Sequence, residues 1–396
     1  MNRLVLIGNG YDLAAGLKTS YEDFLVAYIK DIVNQVIETK KIFQDQLLTV
    51  EKIGTGGIDL EKLNSITALA GILRNRNFII KNQHEFGSYD HEGELIKDEE
   101  NYFEIYLKSE FFEKTLKDLN WRDIEGFYFK SLVDIYKGKV LKHKTVGEYN
   151  EEREYELSQK RSAQLLNIEF EHIKKLLANY LANISAMLNY RNAGYPFSVL
   201  ENINKPMDVK LFKEFFNKAD TIGKTTEVIN KGLIVNFNYT NLLSNHLNWN
   251  KNERENFETI NIHGSVQNPS EIIFGYGDDT HPMYSELELS GEDEYLSHLK
   301  SFRYPLSNNY LHLINFLEYE QFEVQILGHS LGLSDRVLLK SIFEHDNCKC
   351  IRLFHQGRND ERGLITKKYM ALARHFDNKM IMRNKIVPFN LSDKLH

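Results

Sequence analysis

Apolar residues are patterned differently at the two ends of the chain and in its middle. Near the N-terminus, Leu4-Val5-Leu6-Ile7 is an unbroken apolar run, the pattern of a strand buried on both faces. Gly8-Asn9-Gly10 ends it. Apolar positions then recur at helical spacing through Tyr21, Phe24, Leu25, Tyr28, Ile29 and Ile32, which predicts a helix with Thr19 or Ser20 as its N-cap. Between about residues 40 and 220 the periodicity is mostly helical. Its longest stripe runs from Ile168 through Phe170, Ile173, Leu177, Leu181 and Ile184 to Leu188. Glu151-Glu152-Arg153-Glu154 reads as the solvated face of a helix, and Gly54-Thr55-Gly56-Gly57 as a local break.

Strand-like runs return at 233–237, 259–262, 272–274, 323–327 and 350–354. Between the last two, Val337, Leu338, Ile342 and Phe343 have the spacing of a crossover helix. Short apolar strands separated by helices imply βαβ units. The fold expected is therefore α/β and Rossmann-like, with a mostly parallel sheet and a large helical insertion. Residues 1–38 and 222–396 form a discontinuous nucleotide-binding domain, and residues 39–221 the mainly helical insertion.

Composition narrows the partners. With 396 residues, 42% hydrophobic, the chain can bury a large core, and 24 Phe with 21 Tyr exclude disorder as a description of the whole. The net charge of −7 supplies no general field for a nucleic-acid backbone. No apolar stretch is as long as a membrane span, and the first run is too short for a signal peptide, so a cytoplasmic protein is expected. Cys348 and Cys350 are too few for a disulfide framework or a four-ligand zinc site. Alternation along a strand points both into one core face, and no metal is expected.

In open parallel sheets ligands bind at the C-terminal strand ends. The residues expected there are Gly8-Asn9-Gly10-Tyr11-Asp12, Asn238-Tyr239-Thr240, His263-Gly264, Gly275-Tyr276-Gly277-Asp278 and Gly328-His329-Ser330. The Gly8–Gly10 loop has the strand-to-helix context of a dinucleotide loop, although Leu13 stands where a third glycine is usual. Small residues there let N–H groups approach a pyrophosphate, or simply make a tight turn. His263 is a candidate general base, because imidazole titrates near neutrality. Asn238 can orient a water or a ribose hydroxyl. Both residues can equally serve to satisfy backbone groups at strand ends. Gly328-His329-Ser330-Leu331-Gly332 matches a nucleophile elbow, with Asp346 and His355 following in hydrolase order. Only 66 residues follow Ser330, however, which leaves little room for the rest of such a fold.

Several of these segments, together with Leu17-Lys18-Thr19-Ser20-Tyr21-Glu22-Asp23-Phe24-Leu25 and Trp121-Arg122-Asp123-Ile124-Glu125, resemble the AbiH family of bacterial phage abortive-infection proteins. A more distant resemblance, to sirtuin-like NAD-binding domains, follows the same order of motifs. It implies NAD as substrate or ligand, with Asn238 and His263 as catalytic residues. It implies that Gly8, Asn9, Gly10, Asp12, Asn236, Tyr239, Gly328, His329, Ser330 and Asp335 contact the cofactor, with a ribose at Ser330. Thr240 departs from the acidic residue usual there, and Asp12 from a small one. The function these resemblances imply is an anti-phage effector that cleaves NAD at the nicotinamide N-glycosidic bond when triggered. A homo-oligomer is expected, with a phage-derived trigger or a partner defence protein. The alternatives are a nucleotide-sensing module without catalysis and a serine hydrolase at Ser330.

Overall fold

A computed structural model describes residues 1–52, 64–65, 73–75, 103–117, 124–146, 152–156, 158–188, 203, 229–249, 257–354 and 361–388. The break at 54–57, the motif residues 121–123, and Glu151 and His355 lie outside the described residues. The strands are β1 (Asn2–Ile7), β2 (Phe43–Gln44), β3 (Leu48–Lys52), β4 (Leu73–Asn75), β5 (Phe103–Leu107), β6 (Lys142–Val146), β7 (Glu152–Glu156), β8 (Gly232–Asn236), β9 (Phe257–Asn261), β10 (Phe322–Leu327) and β11 (Cys348–Leu353). The chain divides into two compact units. One comprises Met1–Thr19, Leu181–Tyr284 and Leu299–His396; the other comprises Ser20–Tyr180 and Ser285–His298.

The first unit is built on a five-stranded sheet in the order β11-β10-β1-β8-β9, parallel at every pairing. Counted along the chain from its β9 edge, this is the 3-2-1-4-5 order of a Rossmann-like sheet, whose direction reverses between β1 and β10. The apolar run at the start of the chain is thus the central strand. Leu4 and Leu6 pack on one face with Leu313, Phe316 and Leu338 from covering helices. Val5 and Ile7 pack on the other with Tyr11, Leu243 and Leu247. Each such burial contributes about 1.5–3 kcal/mol, which explains the absence of polar alternation. The crossover helix expected after β10 is Arg336–Phe343, with Leu338, Leu339, Ile342 and Phe343 buried.

Two details of this unit depart from the pattern. Residues 272–274 form no strand; they follow a 3-10 turn at Pro269–Glu271 and hold the strand-end edge through the Ile273 N–H on the His263 carbonyl (2.9 Å). A three-residue apolar run bounded by Pro269 and Gly275 is too short to compete for a place in the sheet. The two thiols also part. Cys348 joins the core face with Ile351 and Leu353, whereas Cys350 Sγ lies 3.9 Å from Glu323 Oε2. A register irregularity between Phe322 and Glu323 breaks the alternation that would have aligned them.

The second unit carries the mixed sheet β2-β3-β5-β4 and the helices Tyr21–Thr39, Glu110–Lys117, Ile124–Tyr136 and most of Gln159–Ala186. Ser20 caps the first with a full capping box shared with Asp23. The rings of Tyr128 and Phe170 stack at 4.2 Å in its core. The strands here are additions to the helical periodicity of the sequence. The acidic run expected on a helix contributes to β7, whose register sets Glu154 opposite Lys144 and Glu156 opposite Lys142 of β6.

One buried ion pair ties the central strand to its neighbour. Arg3 Nε donates to Glu323 Oε1 at 2.5 Å with both side chains almost fully buried, and Arg3 also donates to the Ile203 carbonyl (2.5 Å). Removing one partner leaves the other charge buried and uncompensated. Glu323→Leu should therefore lower unfolding free energy by about 3–5 kcal/mol in denaturant titrations, and Arg3→Leu/Glu323→Leu by less than the two single losses combined.

Candidate functional site

The parallel sheet brings four of the expected polar strand ends to one edge. At its centre two backbones touch. The Gly10 N–H donates to the Gly328 carbonyl (2.9 Å), and the Gly8 N–H to that of Leu327 (3.1 Å). A β-carbon on Gly8 would lie 2.5 Å from His329 Cα; one on Gly10 would lie 2.7 Å from the Gly328 oxygen. Gly328 itself has φ +68°, and a β-carbon there would lie 2.7 Å from the Tyr11 nitrogen. The glycines thus permit a close approach of the β1 and β10 loops. The Gly8, Gly10 and Tyr11 N–H groups, expected to face a pyrophosphate, already donate to protein carbonyls.

Around this contact the side chains fall into two groups. In the first, Asp12 is 1% exposed. Its Oδ1 accepts from Asn238 Nδ2 at 3.2 Å and its Oδ2 from the Thr240 hydroxyl at 2.6 Å. Asn238 Nδ2 also donates to the Gly8 carbonyl (3.3 Å). Burial pushes the Asp12 carboxyl up to about 7, against the Thr240 hydrogen bond, which favours the ionised form.

The second group is centred on Asp335. Its Oδ1 accepts from Lys300 Nζ at 2.7 Å and lies 3.3 Å from His263 Nε2; its Oδ2 lies 3.6 Å from His329 Nε2. Burial alone would raise this carboxyl, but Lys300, His263 and His329 outweigh it and hold it well below the usual carboxylate range. His263 Nε2 also lies 3.3 Å from the Tyr304 hydroxyl. The His329 ring is neutral at physiological pH, because burial pushes it down to about 3. Its Nδ1 accepts the Leu331 N–H (3.0 Å), and Lys368 donates to its carbonyl. The Phe237 ring lies edge-on to both imidazoles, with centroids 5.2 Å from His263 and 4.2 Å from His329.

The remaining candidates do other things. Asn9 pairs with Thr19 through Nδ2 to the carbonyl (3.0 Å) and Oδ1 to the hydroxyl (2.6 Å). Asn236 donates to Asn261 Oδ1 (2.9 Å) and accepts the Asn238 N–H (3.1 Å). The Tyr239 hydroxyl donates to the Ile273 carbonyl (3.1 Å), while its ring lies 6.3 Å from that of His263. Ser330 is exposed, and among the described residues no imidazole is hydrogen-bonded to it. The positive φ values of its turn fall on Gly328 (68°) and Leu331 (60°) rather than on the serine. No hydrogen bond joins Asn238 to His263; the Gly8 contact with His329 and the Phe237 ring link their groups.

Sequence reasoning missed Lys300 and Tyr304. Lys300 sits in Ser297-His298-Leu299-Lys300-Ser301, where nothing marks a buried cation. Its backbone is placed by Gly275-Tyr276-Gly277-Asp278. Tyr276 bridges to Leu299, the Lys300 N–H donates to the Tyr276 carbonyl (2.8 Å), and the Val337 N–H to that of Gly277 (2.8 Å).

Two outcomes are expected. Gly10→Ala forces backbone atoms apart and should cost about 2–3 kcal/mol in denaturant unfolding, against about 1 kcal/mol for Gly16→Ala, where φ is positive but the surroundings are open. The raised Asp12 carboxyl makes the folded state bind a proton more tightly than the unfolded one. Its stabilising effect is full below the ordinary carboxyl pKa of 3.8 and is lost as pH rises through about 7. Melting temperatures of Asp12→Asn should therefore rise relative to wild type as pH increases from 4 to 8.

Comparison with known proteins adds the family. Neither the curated proteins nor the solved structures contain a match to the chain. The family profile described as "Bacteriophage abortive infection AbiH" matches residues 4–356, which includes Asp12, Asn238, Thr240, His263, Lys300, His329 and Asp335. On that match, over well more than half its length, the chain belongs to the AbiH family of bacteriophage abortive infection.

Proposed function

We propose that the protein is an abortive-infection effector that hydrolyses NAD at the nicotinamide N-glycosidic bond when triggered. The observation that carries this reading is the relay of Lys300, Asp335 and His263 at the C-terminal edge of a parallel sheet. Asp335 is kept ionised and faces His263 Nε2, so in this reading that nitrogen carries the N–H that donates to it. Its Nδ1 has no hydrogen-bond partner among the described residues and is free to accept a proton. Breaking the glycosidic bond passes through an oxocarbenium-like state, in which placement and electrostatics dominate. Nicotinamide departs as a neutral base. Water adds to the ribose C1′ and gives its proton to His263, leaving ADP-ribose. Asn238 orients that water or a ribose hydroxyl. Asp335 holds the base rather than a ribose, which leaves Ser330 as the exposed ribose contact. The glycine loops contribute proximity of β1 and β10 rather than N–H donors to the pyrophosphate.

Activity in this reading waits on a phage-derived trigger or a partner defence protein, and on self-association. Among the described residues no helix is long and apolar enough to cross a membrane. The alternative hydrolase at Ser330 has no base hydrogen-bonded to its hydroxyl among the described residues and no strained elbow at the serine.

The test is nicotinamide release from NAD by the purified full chain, alone and with lysate of phage-infected cells. His263→Ala and Asn238→Ala should each reduce kcat by about 100-fold or more, whereas Ser330→Ala, which removes a ribose contact, should act mainly by raising KM. Undiminished turnover in the first two removes the residue assignment. An NAD-induced melting shift with no product in any condition replaces cleavage by sensing.

A further inference from the structure

A side-chain amide offers two donors on nitrogen and an acceptor on oxygen, and rotation exchanges them. At Asn238 that choice is made by its surroundings. One Nδ2 contact is the Gly8 carbonyl at 3.3 Å, and the other is Asp12 Oδ1 at 3.2 Å. The backbone is gripped by Asn236, whose Oδ1 accepts the Asn238 N–H (3.1 Å) and whose Nδ2 donates to the Asn238 carbonyl (3.4 Å). Turning the amide over would set its oxygen against the Gly8 carbonyl, which would keep only the Tyr11 N–H, and against Asp12, which would keep only the Thr240 hydroxyl. Each pairing lost in a buried place opposes that rotation. Asn238 Oδ1 has no hydrogen-bond partner among the described residues.

Asp12 is itself too buried to meet a ligand, and both its oxygens are occupied by Asn238 and Thr240. A carboxyl group buried without a cation opposite is costly, and an apolar residue would fill the space at less expense. We infer that Asp12 is a positioning residue, which locks the Asn238 amide with its oxygen outward, so that the group bound at Asn238 is a hydrogen-bond donor, a hydroxyl or a water. Thr240 holds Asp12 in turn. The lock stands on geometry alone; its use in catalysis rests on the NAD-cleavage reading. It deepens that reading by selecting the chemistry at this point. A ribose hydroxyl or the attacking water fits, and a phosphate oxygen does not.

The experiment uses the full chain labelled with 15N-asparagine, with the Asn238 side-chain signal assigned by its loss in Asn238→Ser. In wild type the two Nδ2 protons should exchange slowly with solvent. Asp12→Ala should speed that exchange about tenfold, the size expected for one lost hydrogen bond. Asp12→Asn, which keeps an acceptor oxygen, should restore most of the protection. Thr240→Val, which spares the Asp12–Asn238 contact, should leave the signal close to wild type. If Asp12→Ala does not fold, Asp12→Leu takes its place. Unchanged Asn238 exchange in a folded Asp12→Ala or Asp12→Leu overturns the lock. So does equal loss in Thr240→Val, which marks general loosening. In the turnover arm, Asp12→Ala should lower kcat with little change in KM, and Asp12→Asn should recover it. Exchange results as expected with no turnover in wild type keep the lock and reject NAD cleavage.

Discussion

Between the ends of β1 and β10 there is no space for a β-carbon. Gly8 and Gly10 face Gly328 and His329 backbone to backbone, and the Gly10 N–H reaches the Gly328 carbonyl directly. The rest of the candidate site hangs from this contact. The same turn that brings Gly8 against His329 aims the Gly8 carbonyl at Asn238 and starts the short helix that carries Asp12. Across the contact, the chain beyond Gly328 presents His329 and then Asp335 to His263. A larger side chain at any of the three glycines would move both groups at once.

The two buried carboxyl groups are held in opposite senses by their neighbours. Asp335 has Lys300 and two imidazoles within reach, and its charge is secured. Asp12 has only neutral donors, and its proton is retained into the neutral range. Buried carboxyl groups with separated titrations are a recurring mark of functional sites. Here the separation follows first from Lys300 and then from His263 and His329, none of which is paired with Asp12. The lysine's placement depends on the Gly275–Asp278 segment, whose backbone bonds run to Lys300 on one side and Val337 on the other.

How much of this was legible depended on whether the signal was local. Apolar runs marked β1 and β8, whereas β10 was legible despite its buried Glu323 and Gln325 through Val324, Ile326 and Leu327. The Ser20 capping box is written in four consecutive residues. Residues 272–274 carried a strand-like composition, but a proline and a glycine on either side took the segment out of the sheet. The facing of Cys348 and Cys350 turned on a register irregularity, which is set by the neighbouring strand and invisible in alternation. In the site, Asn238 and His263 were visible because they end apolar runs. Asp12 was visible as a residue, but its partner Thr240 lies across the sheet. Lys300 carried no local mark, because its burial is decided by Asp335, which comes from a distant part of the chain. The glycine loops show how one signal serves two ends. Their small size was readable, and the neighbouring backbone that uses it was not.

The order of strands also sets a timetable. Arg3 pairs with Gly232, and Asn2 with Phe322, so the central strand is made first and finds its last partner only after most of the chain has been synthesised. At ribosomal speeds of about 5–20 residues per second, the interval is of the order of 15 to 60 s. Asn238 emerges after the Asp12 that holds it, whereas His263 emerges before Asp335 and the β10 turn. A nascent or interrupted chain that stops short of Asp335 cannot assemble the Lys300–Asp335–His263 relay, whatever else of it has folded. In this member of a family of bacteriophage abortive infection, the Lys300–Asp335–His263 group therefore exists only once synthesis has passed residue 335.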